Sequence, residues 1–310
     1  MKNHDRDVIV SALRHAAPYI RLYKKKIFVL KAGGEVFTSD EATRHLLEQV
    51  GLLHQVGIRV VLVHGGGPQV TELAEALGVP TQMVGGRRVT DRQTLDVTTM
   101  VLNGKINTRI LAACRDLHLP AIGLSGVDAG LIKAHKRLPV EVEGHAGGPV
   151  DFGFVGDIDS VDPAVVRAQL DNGMVPIVSP LSADDNGMVL NINADTVAAA
   201  LATALGASKL ILTMGAPGIL EDRHNPSSLV SYLDLEDLQE LRANGSLAEG
   251  MLPKARAIEA AIKGGVPRVH LISYKIPDSL LLEIFTNEGT GTLVVADTDT
   301  LTAEEQEAGA

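Results

Sequence analysis

Short β-branched runs separated by helical stretches recur along the whole chain, and this alternation limits the folds it can adopt more than any other feature. Residues 27–30, 58–63, 175–178, 210–212 and 269–272 form nearly unbroken apolar runs. A strand covered on both faces has no solvent side, so it shows no polar alternation. Helical segments follow most of these runs. Thr38 and Glu41 make a capping box before a helix reaching Val50, and Pro68 opens another that ends near Gly78. The order predicts an α/β fold, a three-layer αβα sandwich with a mostly parallel central sheet. With 310 residues, 45% of them hydrophobic, the chain can bury a substantial core as one large domain or as two lobes sharing a sheet.

Two glycine-rich turns come directly after the first two expected strands. Lys31 precedes Gly33 and Gly34, and His64 precedes Gly65, Gly66 and Gly67. Both turns fall at strand C-termini, where open α/β sheets bind ligands. Neither fits the P-loop or the dinucleotide fingerprint. Gly33 and Gly34 taken alone also suit an ordinary tight turn. Three consecutive glycines carry a high entropic cost, which a close approach of backbone to an anion explains. Pro68 then starts a helix whose N-terminal dipole favours negative charge.

Asn191, Asn193 and Asp195 alternate with Ile192 and Ala194, as in an extended segment presenting three polar groups on one side; an Asn or Asp helix cap is the plainer reading. Lys254 opens a helix over residues 253–263, a poor place for a cation in the helix macrodipole unless it has another task or is simply solvated. Lys31, the triple glycine, Asp195 and Lys254 together suit the movement of a phosphoryl group, since two ammonium groups can neutralise its charge while glycine amides approach it. Arg87 and Arg88 offer forks for a carboxylate, or equally for a surface ion pair.

The 28 Lys and Arg against 38 Asp and Glu give a formal charge of −10, which opposes binding to nucleic acid or to an anionic membrane. The uncharged stretch 196–208 is too short to span a bilayer, and the polar start of the chain does not resemble a secretory signal, so a cytoplasmic protein is expected. Cys114 is the only cysteine and reads as a small buried hydrophobe. The ten histidines show no paired ligand spacing, and no protein-held metal is expected. Residues 145–156 read as a hairpin or loop, and the acidic end after Asp297 as a disordered tail.

The ordered blocks Lys31-Ala32-Gly33-Gly34, His64-Gly65-Gly66-Gly67-Pro68-Gln69, Arg88-Val89-Thr90-Asp91, Asn191-Ile192-Asn193-Ala194-Asp195 and Gly250-Met251-Leu252-Pro253-Lys254 resemble the amino-acid kinase family, and within it the acetylglutamate kinases. The resemblance covers nearly the whole chain. It implies ATP-dependent phosphorylation of the side-chain carboxylate of N-acetylglutamate, with Mg²⁺ arriving on ATP. It also implies an N-terminal helix over residues 1–24, an amino-acid lobe over 25–180, a nucleotide lobe over 181–297 and the tail 298–310. On this likeness Lys31 and Lys254 hold the phosphoryl group and Asp195 orients them. Gly66, Gly67, Arg88 and Asn191 take the amino-acid substrate, and Lys31, Gly33, Gly34, Gly218 and Lys254 take the nucleotide.

The N-terminal segment resembles the extra helix of arginine-inhibited hexameric kinases, which implies a dimer-based homo-oligomer, up to a hexamer, with arginine as effector. Tyr19, Asp278, Glu283 and Gly289 fall in the corresponding pocket, with Asp278 where a histidine is usual. Thr213-Met214-Gly215 lacks an acidic residue usual in the family near the nucleotide. Other blocks, such as His270-Leu271-Ile272-Ser273-Tyr274, resemble the kinase-like domain of acetylglutamate synthase. They leave open a non-catalytic arginine sensor, and a kinase for a related N-acylated amino acid is a further alternative.

Overall fold

The computed structural model describes residues 3–301 apart from 143, 144, 146, 223, 224, 226, 227, 244, 246, 248 and 288. The strands are β1 (Ile27–Ala32), β2 (Arg59–His64), β3 (Gln82–Val84), β4 (Arg87–Val89), β5 (Ala121–Ser125), β6 (Ile132–Lys136), β7 (Gly156–Val161), β8 (Val175–Ser179), β9 (Leu181–Ala183), β10 (Val189–Asn191), β11 (Lys209–Met214), β12 (Tyr232–Leu233), β13 (Val269–Ser273) and β14 (Thr292–Val294). The α-helices are α1 (Asn3–Tyr23), α2 (Asp40–Gln55), α3 (Gly67–Ala76), α4 (Arg92–Thr99), α5 (Thr108–Asp116), α6 (Ala164–Asp171), α7 (Ala194–Leu205), α8 (Leu235–Ala243), α9 (Leu252–Lys263) and α10 (Ser279–Phe285). Between α4 and α5 the chain winds as a π-helix, Met100–Asn107.

Eight strands form one sheet in the order β12-β14-β13-β11-β1-β2-β8-β5. Its pairs are parallel except β13 with β14. Alternate residues of each strand feed two cores, which is why the runs read as continuously apolar. Val29, Val61, Val63, Val178, Leu210, Leu212, Val269 and Leu271 pack against α6, α7, α8 and α9 on one face. Phe28, Leu30, Val60, Leu62, Ile177, Ile211 and Ile272 pack against α2, α3, the π-helix, α5 and α10 on the other. The result is the αβα sandwich expected from the alternation.

A smaller sheet, β10-β9-β6-β7, sits beside the large one and takes strands from both sides of residue 180, so a lobe division at that point cuts through a sheet. The chain leaves the large sheet at Ser179 and enters the small one at Leu181. Three local readings differ from the sequence expectation. Ser39, not Thr38, caps α2: its hydroxyl accepts from the Ala42 amide at 3.3 Å, whereas Thr38 donates to the Glu35 carbonyl within a short 3₁₀ turn. The helix-cap reading of 191–195 falls to Asn193, whose side chain accepts from the amides of Asp195 and Thr196. The segment after Asp297 is not disordered throughout: Asp297 caps a turn over Thr298–Thr300, and Leu301 is buried with Leu293 and Val295. Residues 302–310 lie outside the described residues.

Candidate active site

Lys31 lies near the end of β1, Asp195 in the first turn of α7 and Lys254 in the first turn of α9. Their side chains meet. Lys31 Nζ stands 2.9 Å from Asp195 Oδ1, and Lys254 Nζ stands 3.1 Å from Asp195 Oδ2. Because Asn193 does the capping, the Asp195 carboxylate is left for the two lysines. Lys31 is 6% exposed and Asp195 5%. Two cations share one anion, so the group carries one uncompensated positive charge in a poorly solvated place. That is an attractive setting for an anionic ligand.

The titration behaviour follows from this crowding. Burial works to raise the Asp195 carboxyl, but the charges and hydrogen bonds of Lys31 and Lys254 outweigh it and hold the group below its ordinary range. Burial, and then the Lys31 charge, hold the Lys254 ammonium below its usual range despite Asp195.

The two glycine turns face each other beside these lysines. A Cβ on Gly34 would stand 2.8 Å from Gly66 Cα and 2.9 Å from Pro68 Cδ, so the turns approach too closely for a side chain there. Gly65 N donates to the Ala32 carbonyl at 2.8 Å, and Gln69 Nε2 to the Gly34 carbonyl at 2.7 Å. Gly33 starts the 3₁₀ turn, and a Cβ built on it would lie 3.9 Å from Lys31 Nζ. Gly67 begins α3 and its Cβ would meet open space. The first amides of α3 have no intrahelical partner, so they point, with the helix dipole, toward an incoming anion.

Arg88 is anchored on the same helix start. Its Nη2 donates to Thr71 Oγ1 at 2.7 Å and to the Gly67 carbonyl at 3.3 Å, while its buried Nη1 has no hydrogen-bond partner. A buried, unpartnered guanidinium nitrogen is a donor waiting for an acceptor. Burial holds this guanidinium below its ordinary range. Asn191 closes β10 and donates from Nδ2 to Thr90 Oγ1 at 3.3 Å, two residues beyond Arg88. Arg87 is half-buried on β4; burial, then Arg137 and Arg256, lower its guanidinium.

Gly218 is a different case from the turn glycines. It is buried, and a Cβ there would strike Thr292 Oγ1 at 2.4 Å and Leu229 Cδ1 at 2.7 Å, so packing alone accounts for a glycine at that position. Nearby, at the C-terminal end of β11, Thr213 Oγ1 is buried without a partner. Gly215 stands where a side chain would meet Tyr274 Oη at 3.5 Å and Lys275 Nζ at 3.8 Å, so the expected acidic position is replaced by a gap beside a cation.

A second polar cluster lies at the opposite ends of β11 and β13. His270 Nδ1 donates to Glu283 Oε1 at 2.7 Å, and Lys209 Nζ donates to His270 Nε2 at 2.8 Å, all three being buried. Glu283 Oε2 also accepts from the Thr290 amide at 2.7 Å, and a Cβ on Gly289 would press on that oxygen at 2.8 Å. Tyr19 of α1 donates its hydroxyl to Asn287 Oδ1 and meets the Phe285 ring edge-on at 6.5 Å. Asp278 turns its exposed carboxylate to His45 of α2 at 3.6 Å, whereas Tyr19, Glu283 and Gly289 gather at the far end of α10. Lys209 is missing from the sequence reading and His270 enters it only within a synthase-like block, although a lysine at the head of one apolar run and a histidine inside another were a usable signal. Asn107 was missed, and Gln69 was read only as part of a family block without a role, because neutral amides give no signal of their own.

Fold and site together define a class: an open α/β protein whose sheet ends in paired glycine turns and two lysines sharing one aspartate, a centre suited to phosphoryl groups. The sequence profile of the amino acid kinase family matches residues 26–273, and the chain belongs to that family. It is 49% identical over 290 residues to an acetylglutamate kinase of Myxococcus xanthus, covering 93% of this chain and 94% of that one. The N-acetylglutamate synthase of Neisseria gonorrhoeae, solved with coenzyme A and N-acetyl-glutamate, matches with a TM-score of 0.80 at 29% identity. That match covers 93% of this chain, which spans 64% of the synthase. The same synthase solved with coenzyme A and L-arginine gives a TM-score of 0.79.

Proposed function

We propose that this chain transfers the terminal phosphoryl group of ATP to the side-chain carboxylate of N-acetylglutamate, a step of arginine biosynthesis, in the cytoplasm. The observation that carries the reading is the buried Lys31–Asp195–Lys254 trio between two glycine turns, with near full-length similarity to acetylglutamate kinases in support. A carboxylate nucleophile is ionised at pH 7, so the site needs no general base. Its work is alignment and charge stabilisation. Lys31 and Lys254 hold the transferring oxygens from two sides, Asp195 fixes both ammonium groups, and the amides at Gly34, Gly66 and Gly67 add donors. Arg88, through its unpartnered Nη1, and Asn191 take the substrate's α-carboxylate and neighbouring polar atoms. Nucleotide lies along Gly33, Gly34, Lys254 and the loop ending at Gly218.

Both oxygens of Asp195 are engaged by lysines, and among the described residues no group of three His, Cys, Asp or Glu side chains is placed to hold a metal. On this reading Mg²⁺ enters on the nucleotide phosphates with water completing its shell. A sensor without chemistry gives no reason to hold two lysines against one buried aspartate, which favours the kinase over that reading.

Hydroxylamine trapping of the acyl phosphate formed from ATP and N-acetylglutamate tests the reaction. Arg88→Ala is expected to raise the KM for N-acetylglutamate by roughly 10-fold or more, the effect of losing a charged donor to a carboxylate. Wild-type protein that is folded yet forms no acyl phosphate would refute the assignment.

The regulatory reading rests on α1 and the second cluster. Val8, Ile9, Val10, Leu13 and Leu22 are exposed on α1, whose C-terminal end packs on Phe285 of α10 through Tyr19. We infer that α1 joins dimers into a larger ring, and that arginine binds beside Tyr19, Glu283 and Gly289. Deleting residues 1–23 should lower the mass seen by light scattering and raise the half-inhibitory arginine concentration roughly 10-fold, within the usual range of allosteric coupling. An unchanged mass counts against the helix-joined ring.

A further inference from the structure

The glycine turn owes its shape to groups that never reach the reacting atoms. His64, the last residue of β2, is completely buried, and its two ring nitrogens meet partners of opposite kinds. Nδ1 lies 3.1 Å from the Gly65 carbonyl oxygen, which can only accept. Nε2 lies 3.2 Å from Asn107 Nδ2, whose other hydrogen goes to the Ile177 carbonyl at 3.0 Å, so this amide nitrogen donates. One arrangement satisfies all of these bonds. His64 carries its proton on Nδ1, donates to Gly65 and accepts from Asn107.

Asn107 is the last residue of the π-helix, a form that is rare and recurs at functional positions. The same helix touches the turn a second way. A Cβ on Gly66 would stand 2.6 Å from Ile106 Cδ1 and 2.7 Å from Leu102 Cδ2, so the bare backbone of the turn rests on π-helix side chains. It touches the next strand as well: Asn103 Oδ1 accepts from the hydroxyl of Ser179, at the end of β8. The Phe37 ring meets the His64 ring edge-on at 6.2 Å and closes it from the first glycine turn. The ends of β2 and β8 and the turn at Gly65–Gly67 are therefore tied to one short helix.

We propose that His64 is a positioning residue for phosphoryl transfer: held by Asn107 of the π-helix, its Nδ1–H fixes the Gly65 carbonyl and so aims the Gly66 and Gly67 amides at the transferring group. This rests on the phosphoryl-transfer reading given above. Rotating the Gly65–Gly66 peptide would turn the Gly66 amide with it, because carbonyl and amide belong to one rigid plane. A single hydrogen bond to the carbonyl thus sets the direction of the donor. Burial pushes the imidazole down to about 4, so the ring stays neutral with one fixed tautomer across the neutral range.

Two measurements test this. His64→Phe keeps a ring in the cavity and removes both hydrogen bonds; kcat should fall about 10²-fold, the scale of a sub-ångström to ångström misalignment, with the KM for N-acetylglutamate unchanged. His64→Asn, whose amide nitrogen stands near the place of Nδ1, should recover most of the loss. A His64→Phe protein with wild-type kcat, or a loss that His64→Asn does not relieve, overturns the proposal. The second measurement needs no turnover: ¹⁵N NMR of the wild-type imidazole should show a neutral Nδ1–H ring from pH 5.5 to 8. A ring that titrates near 6.5, or carries its proton on Nε2, defeats the proposal even if the kinase reading stands. An inactive wild type with the expected NMR signature defeats the kinase reading, and the positioning role with it.

Discussion

Replacing Lys254 with alanine should lower kcat for acyl-phosphate formation by roughly 10²–10³-fold, the loss seen when one preorganised donor to a developing charge is removed. The fold should persist. Lys254→Ala leaves Asp195 paired with Lys31 at 2.9 Å, so no buried charge is orphaned. The KM for N-acetylglutamate should change little, since on the proposed reading Arg88 and Asn191 hold that substrate; the split between kcat and KM then identifies an interaction made in the transition state. Steady-state kinetics with hydroxylamine trapping, beside thermal unfolding, decide the matter. A stable variant with kcat within about threefold of wild type would remove Lys254 from the chemistry.

The same lysine gives a pH signature. Its ammonium is held below the usual range by burial and by Lys31, so the free enzyme loses this proton before an ordinary lysine would. kcat/KM should therefore decline on the alkaline side at a pH below 10.5. Stability moves the other way. A lysine whose folded value is lowered binds fewer protons in the native state between that value and 10.5, so the protein gains stability as pH rises through this window. Activity falling while stability rises would separate loss of the catalytic charge from alkaline unfolding.

Much of the fold was legible because the apolar runs have one physical reading. Val29 faces one helical layer and Phe28 the other, and strands buried on both faces leave no alternation to misread. The meeting of Lys31, Asp195 and Lys254 was partly legible for a related reason. Lys31 and Lys254 each violate a local preference, a cation in an apolar strand and a cation at a helix start, and such violations concentrate at functional sites, whereas Asp195 in the first turn of a helix breaks no rule and stands out only beside them. What stayed hidden was the support. Gln69 clamping Gly34 and Asn107 holding His64 act through contacts between residues 35 and 43 positions apart in sequence, which no local pattern reports. The small size of Gly218 answers to Thr292 and Leu229, distant neighbours again, a packing cause that no local pattern reports. The cap at Ser39, one residue from the expected Thr38, is the ordinary uncertainty of a helix end.

Asp195 is where structure and chemistry are least separable, so its replacement by asparagine carries the other large effect. The carboxylate balances two ammonium groups in a site where it is 5% exposed. Asp195→Asn keeps the shape and removes the charge, leaving Lys31 and Lys254 facing each other in poor solvent. Breaking a buried pair in this way costs about 3–5 kcal/mol when the remaining charge stays ionised. The lysines have a cheaper course, because losing one proton ends the repulsion. The proton comes off Lys254, already lowered by burial and by Lys31, and now without its anion. kcat should then fall roughly 10²-fold or more, as in Lys254→Ala, and part of the loss should return as the pH is lowered and the lysine regains its charge. The stability comparison has its own sign. The folded Asp195 carboxyl lies below its ordinary 3.8, so it contributes stability above that value which disappears as pH falls through the folded value. The gap between wild type and Asp195→Asn in urea unfolding should accordingly narrow below pH 4. An asparagine variant whose alkaline limb coincides with wild type would show that Asp195 does not set the charge of Lys254, and that the two lysines act independently.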